Sequence, residues 1–125
     1  MQVSPHPGGL ALDLDHQEIG HLNNALNEVC NGFAVANFEA AIGLSNEQAM
    51  ALLHRINRLT PHERLHLTLP ELDALRNALT TVLAELEPWE YATRMGFQVD
   101  ESEALRNRLD ALASEVRYGH LRQTA

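Results

Sequence analysis

The chain has 125 residues, of which 45% are apolar, a size and composition that fit one folded domain and exclude a disordered segment. Cys30 is the single cysteine, which excludes an intramolecular disulfide and predicts a reducing compartment. The formal charge of -8 disfavours nucleic acid as a partner and favours a basic protein, although the same charge could serve solubility alone.

Residues 1–10 open the chain without the positive charge or the apolar run of a signal peptide. The sequence also lacks any stretch of about 18 consecutive apolar residues, so a membrane span is not expected. Together with the lone cysteine, these features predict a cytoplasmic protein.

An internal repeat organises the rest of the chain. Shifting residue 12 onto residue 65 aligns residues 12–59 with residues 65–112 without a gap. Identical pairs in this alignment include Leu22/Leu75, Asn24/Asn77, Gly43/Gly96 and Arg55/Arg108. We interpret the pattern as a tandem duplication of a three-helix unit. A single domain over 1–125 is predicted, with a connector at 60–64 and a C-terminal extension at 113–125.

The first repeat is predicted to form three helices. The first helix begins at a capping box made by Asp15 and Glu18, carries an apolar stripe, and ends at a left-handed stop at Asn31-Gly32. The second helix runs from about Ala36 to Gly43. The third begins at Ser45, where a glutamine three residues later completes another capping box.

The second repeat is predicted to follow the same plan. Its first helix opens at the capping box Thr68–Glu71, and its second helix ends at Gly96. Its third helix runs from Asp100, with Glu103 as the capping partner, to about Tyr118.

A short Leu-x-Leu segment precedes the first helix of each repeat, at 10–14 and at 65–69. The two segments are candidates for a minor two-stranded ribbon. The fold class predicted from the sequence is all-α, with six helices in a single domain.

Residues 62–66 spell H-E-x-x-H, the motif by which a helix presents two histidines to zinc. Pro61 and Pro70 flank the motif, so no long helix is expected to carry His62 and His66. Arg64 also places a positive charge between the two histidines. A solvated linker is therefore favoured over the alternative, a zinc-dependent hydrolase, and no metal or cofactor is predicted.

The stretch from Phe38 to Ser45 has the apolar–glycine–apolar spacing of a helix-turn-helix. A DNA-reading helix needs side chains that pair with base edges in its first turn, whereas Glu47 would face phosphate. Asp100 and Glu103 stand in the corresponding turn of the second repeat. A helix-turn-helix-like regulator, binding DNA or another regulator, is therefore the alternative function.

The two repeats differ most over residues 84–103, where the second repeat has the only tryptophan, Trp89, in place of Ala36. Six acidic residues surround Trp89 in the sequence: Glu85, Glu87, Glu90, Asp100, Glu101 and Glu103. An aromatic anchor within acidic residues is typical of a protein-binding hot spot, and the acidic residues would steer a basic partner. These seven residues form the predicted partner-binding site. The alternative is that Trp89 fills the core and the carboxylates form a solvated face.

The stretch from Leu22 to Gly32, followed by Phe38 to Gly43, resembles small uncharacterised bacterial helical proteins with an ALNEVxNG…F…RIG pattern. Ala41 stands where arginine is usual in that pattern, and the second repeat has Arg94 there but lacks the Asn-Gly. The resemblance implies a bacterial source and, by analogy, an immunity protein that neutralises a basic toxin. The function expected from the sequence is therefore a non-enzymatic protein-binding module.

Overall fold

The computed structural model describes residues 1–118, so residues 119–125 of the predicted C-terminal extension lie outside the described part. The strands are β1 (Gln2–His6), β2 (Gly9–Asp13) and β3 (Leu65–Thr68). The helices are α1 (His16–Asn27), α2 (Phe38–Ile42), α3 (Asn46–Asn57), α4 (Leu69–Glu85), α5 (Pro88–Met95) and α6 (Val99–Arg117). A π-helical segment, Glu28–Gly32, continues α1.

The predicted all-α class is wrong, because three strands form an antiparallel sheet in the order β1-β2-β3. The two Leu-x-Leu segments do pair as predicted, with Leu12 opposite Leu65 and Gly9 opposite Thr68. The prediction lacked the third strand, β1, which turns this ribbon into a sheet. The fold is mostly helical with a small antiparallel sheet.

β1 is an edge strand, which explains why its sequence gives a weak strand signal. Pro5 has no N–H to donate to a ladder, and proline is tolerated in sheets mainly on edge strands. The turn at Pro7-Gly8 joins β1 to β2, and Gly8 has a φ of 78°, which favours glycine. A proline-glycine pair between two extended segments is a hairpin signal.

Three predicted helix starts are confirmed by reciprocal capping boxes. At α1, Asp15 Oδ1 accepts from Glu18 N at 2.7 Å, and Asp15 N donates to Glu18 Oε1 at 2.9 Å. Each bond satisfies a backbone donor that the helix itself leaves unpaired. The corresponding pairs at α3 and α4 are Ser45/Gln48 and Thr68/Glu71.

Helical structure ends at Gly32, as predicted, but the predicted left-handed conformation of this stop is wrong. The chain continues past α1 as the π-helical segment, and neither Asn31 nor Gly32 has a positive φ. Gly32 lies against two side chains instead, because a Cβ at this position would meet the carboxylate of Glu28 and lie 3.0 Å from Arg94 Nη2, so both side chains would have to shift.

The predicted start of the third helix of the second repeat at Asp100 is also wrong, because Gln98 is the N-cap of α6. Glu101 Oε1 accepts from Gln98 N at 2.8 Å, so Glu101 takes the capping role assigned to Glu103. The predicted end near Tyr118 agrees with the structure, in which Tyr118 is the C-cap.

The two short helices end at left-handed glycines, as predicted. Gly43 closes α2 with a φ of 98°, and Gly96 closes α5 with a φ of 75°. α2 begins at Phe38 rather than at Ala36, because Asn37 before it adopts a left-handed conformation with a φ of 51°.

The core lies between the inner face of the sheet and the helices α1 and α4. β2 and β3 bury alternate leucines, and α4 packs against α1, α2 and α6. The fully buried leucines are Leu10, Leu12, Leu22, Leu26, Leu72, Leu79 and Leu109. None of the helices within residues 1–118 has the length and hydrophobicity that crossing a membrane requires.

The two repeats exchange equivalent hydrogen bonds across the core. Asn24 Nδ2 donates to Met95 O at 2.9 Å, and Asn77 Nδ2 donates to Ile42 O at 2.8 Å. These bonds satisfy carbonyls at the ends of α5 and α2. A duplication is an event in the history of a gene and is not shown by the structure, which shows equivalent contacts between the two repeats.

We expect replacement of Asn77 with alanine to lower the free energy of unfolding by roughly 1–2 kcal/mol, because a part-buried carbonyl loses its hydrogen bond. Asn24→Ala should have a similar cost, since its bond to Met95 is equivalent. Urea unfolding measures the change. Asn107→Ala, at an exposed site on α6, is the matched control and should change stability by less than about 0.5 kcal/mol.

Candidate functional site

Trp89 lies in the first turn of α5 and is 80% exposed. Tyr91 and Met95 of the same helix are 1% and 0% exposed. Because a helix turns by about 100° per residue, Trp89 points away from the face that Tyr91 buries. The alternative in which Trp89 fills the core is therefore wrong.

The six predicted carboxylates lie at the end of α4, at the start of α5 and in the first two turns of α6. Five of them are exposed and Glu90 is partly buried, the exposed ones being Glu85, Glu87, Asp100, Glu101 and Glu103. Glu90 Oε1 accepts from Glu87 N at 3.0 Å, and its other oxygen lies 4.0 Å from Arg94. Within residues 1–118, Glu85 and Glu103 make neither an ion pair nor a side-chain hydrogen bond, so their charge is uncompensated.

Arg94 attaches the helix that carries Trp89 to the π-helical segment. Its Nε and Nη2 each donate to a carboxylate oxygen of Glu28 at 2.9 Å, and Nη2 also donates to Gly32 O at 3.3 Å. The hydrogen bond to Glu28 raises the pKa of Arg94 above its usual value. The guanidinium lies 5.9 Å from the centre of the Phe33 ring. This bidentate pair fixes the position of α5.

A buried polar cluster beside this surface is absent from the sequence-based prediction. His21 is 5% exposed, and its Nε2 lies 2.6 Å from Oγ of the fully buried Ser102. The His21 ring stacks on Phe97 with 4.0 Å between ring centres. The Tyr91 hydroxyl faces Ser102 without meeting hydrogen-bond geometry, and burial raises its pKa. Burial lowers the pKa of His21, and the nearby carboxylate of Glu101 offsets only part of that effect.

The repeat alignment contains the signal that identifies this cluster. His21 and Ser102 correspond to Ala74 and Ala49 of the other repeat, and both alanines are fully buried. Since alanine suffices for packing at these positions, the histidine and the serine are not required by the fold. Burial of the pair favours the neutral imidazole of His21.

The histidines of the H-E-x-x-H motif do not lie on a helix, as expected from its flanking prolines. His62 lies in a turn with a φ of 77°, whereas His66 lies in β3, where its ring centre is 4.1 Å from that of His6. In the described part of the chain, no three histidine, cysteine or acidic side chains come together in a group that could hold a metal ion.

The predicted helix-turn-helix order is present around Gly43, although α2 has only 5 residues. The first turn of α3 exposes Asn46, Glu47 and Gln48. A carboxylate at Glu47 would repel a phosphate backbone that approached this turn.

Comparison of the chain with protein-family models, with characterised proteins and with solved structures found no match.

Proposed function

We propose that the chain is a non-enzymatic protein-binding module that uses Trp89 and the acidic residues around it to bind a basic protein. The observation that carries the proposal is the 80% exposure of Trp89. Tryptophan is enriched among the few interface residues that dominate binding energy, and burying one against a partner contributes roughly 2–4 kcal/mol. A fold that needed this indole for its own stability would bury it.

The charge of the surface selects the kind of partner. Glu85 and Glu103 are exposed and lack compensating cations within residues 1–118, while Asp100 lies in the first turn of α6. Their field attracts a basic surface and accelerates its association with the chain. The surface is also preorganised, because a glutamate in the first turn of α5 and another in the first turn of α6 accept from the N-cap backbone.

The sequence resemblance to small bacterial helical proteins makes the proposal more specific. An immunity protein has to bind a toxin tightly and quickly, and a preorganised acidic surface with one aromatic anchor meets both requirements. We therefore propose an immunity protein that neutralises a basic toxin domain by covering it with this surface.

Affinity capture tests the proposal. The tagged chain should recover one basic protein in near-equal amount from its native lysate at near-physiological salt, and high salt should release that protein. Purified partner then allows a direct measurement of Kd and of its salt dependence. Retention on duplex DNA, with no protein recovered, would support the helix-turn-helix alternative instead.

Neutralising the uncompensated carboxylates provides a sharper measurement. We expect the double variant Glu85→Gln, Glu103→Gln to bind the purified partner about 3- to 10-fold more weakly at low salt, mainly through slower association. The matched control is Glu39→Gln, Glu47→Gln, which removes two exposed carboxylates on α2 and α3. Equal losses in the two variants would mean that only net charge matters and would contradict the proposed surface.

A further inference from the structure

A separate cavity of about 510 Å³ lies between the start of α1, the end of α3 and the turn at 60–63. A volume of this size falls within the range of small-molecule sites, which are mostly apolar with a few polar groups. Its walls include Ile19, Ile56 and Leu59, and two exposed histidines, His16 and His62, also line it. None of the residues of the proposed partner-binding surface contributes to it.

Two residues that line this cavity do not suit the local backbone conformation in which they lie. Gly20 lies inside α1, and a Cβ added to it would meet no atom within 4 Å, so packing does not require a glycine there. His62 occupies the third position of the turn closed by Glu63 N and Thr60 O, with a φ of 77° that favours glycine. Residues that conflict with local preference concentrate at functional sites.

The other repeat shows that the fold can fill the equivalent space. The cavity residues Gly20, Asn23 and Asn57 correspond in the repeat alignment to Asp73, Arg76 and Asp110. Arg76 Nη1 lies 2.7 Å from Asp73 Oδ1, and Arg76 Nε lies 2.7 Å from Asp110 Oδ1. The space that is an open cavity in the first repeat is therefore filled by an ion-pair network at the equivalent place in the second repeat.

Unpaired positive charge lies beside the cavity. Within residues 1–118, every arginine except Arg58 and Arg64 has a carboxylate within 4.0 Å. Both line a neighbouring cleft that shares Leu59 and Glu63 with the cavity. Glu63 is the carboxylate that lines both the cavity and the neighbouring cleft, and its Oε1 already accepts a hydrogen bond from Thr60 N at 2.8 Å.

We propose that the cavity binds a small, mostly apolar molecule that carries one carboxylate. The apolar walls hold the body of the ligand, and the imidazoles of His16 and His62 offer hydrogen-bond donors to its acidic group. Arg64 Nη1 donates to Ser4 Oγ at 3.0 Å, but neither Arg58 nor Arg64 has its charge balanced by a carboxylate within residues 1–118. The two guanidiniums therefore add a field that favours an anion over a neutral or cationic analogue.

Titration of the full chain with 3-phenylpropionate, followed by NMR or calorimetry, tests the proposal. We expect millimolar or tighter binding that Gly20→Leu weakens by at least about tenfold, since the new side chain fills the cavity. The same variant should unfold a few degrees higher, about 3–5 °C, because leucine is a better helix former than glycine. Ala51→Leu, at an exposed position of α3 outside the cavity, is the matched control and should bind like the wild type.

A second variant and two analogues complete the experiment. His62→Gly relieves the backbone strain of the turn and should keep the fold, yet it should bind 3-phenylpropionate about 3- to 10-fold more weakly, since it loses a donor. Tighter binding of 3-phenylpropanol or 3-phenylpropylamine would overturn the anionic class. No binding by the wild type, or unchanged binding by Gly20→Leu, would overturn the site itself.

Discussion

Replacement of Trp89 with alanine is expected to weaken binding of the protein partner by about 30- to 1,000-fold, which corresponds to roughly 2–4 kcal/mol. The physical reason is that the indole is 80% exposed in the free chain and would be buried only by the proposed partner. For the same reason, the free energy of unfolding of the variant should stay within about 0.5 kcal/mol of the wild type. Calorimetry with the purified partner and urea unfolding measure the two quantities.

Tyr118 provides the matched control for this experiment. It is a second exposed aromatic, 76% exposed, at the end of α6. Tyr118→Ala should leave partner affinity unchanged within about threefold, because the proposed surface does not include it. If Trp89→Ala lost stability and affinity together, Trp89 would belong to the fold and not to a partner-binding surface.

A second large effect is expected at the buried pair of His21 and Ser102. Removing the serine hydroxyl with Ser102→Ala leaves a buried imidazole nitrogen without its partner, which costs roughly 1–3 kcal/mol of stability. The double variant His21→Ala, Ser102→Ala places alanine at both positions, as the repeat alignment does with Ala74 and Ala49. We expect the double variant to lose less unfolding free energy than the two single variants added together, since it leaves neither polar group buried without its partner.

The same pair makes stability depend on pH. Burial lowers the pKa of His21 in the folded chain below the ordinary value of 6.5. As the pH falls below 6.5, the unfolded chain takes up this proton while the folded chain resists it, so acid favours unfolding. The free energy of unfolding should therefore decline below pH 6.5, by at most about 1.4 kcal/mol per pH unit for one proton. Above pH 6.5 this contribution is fully present.

Unfolding curves collected across that pH range check the sign of the effect. Between pH 6.5 and about 5, above the range in which carboxylates such as Asp73 take up protons, the decline should be absent from the double variant His21→Ala, Ser102→Ala. It should become steeper in Glu101→Gln, because this carboxylate favours the protonated imidazole and partly counteracts the effect of burial. A wild-type stability that rises on acidification would show that His21 is stabilised in its charged form.

The features that the sequence predicted correctly are those decided by residues close together in the sequence. The capping box of Asp15 and Glu18 uses atoms three residues apart, so its chemistry can be read from the sequence alone. Gly43 and Gly96 end their helices for an equally local reason. The strand that the prediction missed is β1. Its residues do not alternate between apolar and polar side chains, and Pro5 argues against a strand unless that strand is known to lie at an edge of the sheet.

The partner-binding site stays a prediction, and the structure adds what the sequence could not supply. The sequence proposed Trp89 as an anchor, yet whether an indole is buried or exposed depends on which face of α5 packs, and that is decided by Tyr91 and Met95. Glu101 rather than Glu103 completes the capping box, because the N-cap of α6 is Gln98, two residues before the predicted cap, Asp100. His21 escaped notice because a lone histidine on an apolar helix face has no local signature.

The hydrogen bonds that Asn24 and Asn77 exchange across the core have a consequence for how the molecule assembles. Each repeat supplies a donor to the carbonyl that ends a helix of the other, and β2, the central strand, obtains its second neighbour, β3, only from the second repeat. During synthesis, the first 60 residues therefore leave the ribosome before the segments with which they pair and form these hydrogen bonds. We likewise expect cleavage in the exposed turn at 60–64 to give two fragments that fold only together. Each repeat then corresponds to one subunit of a heterodimer, and the turn is the loop that joins the two.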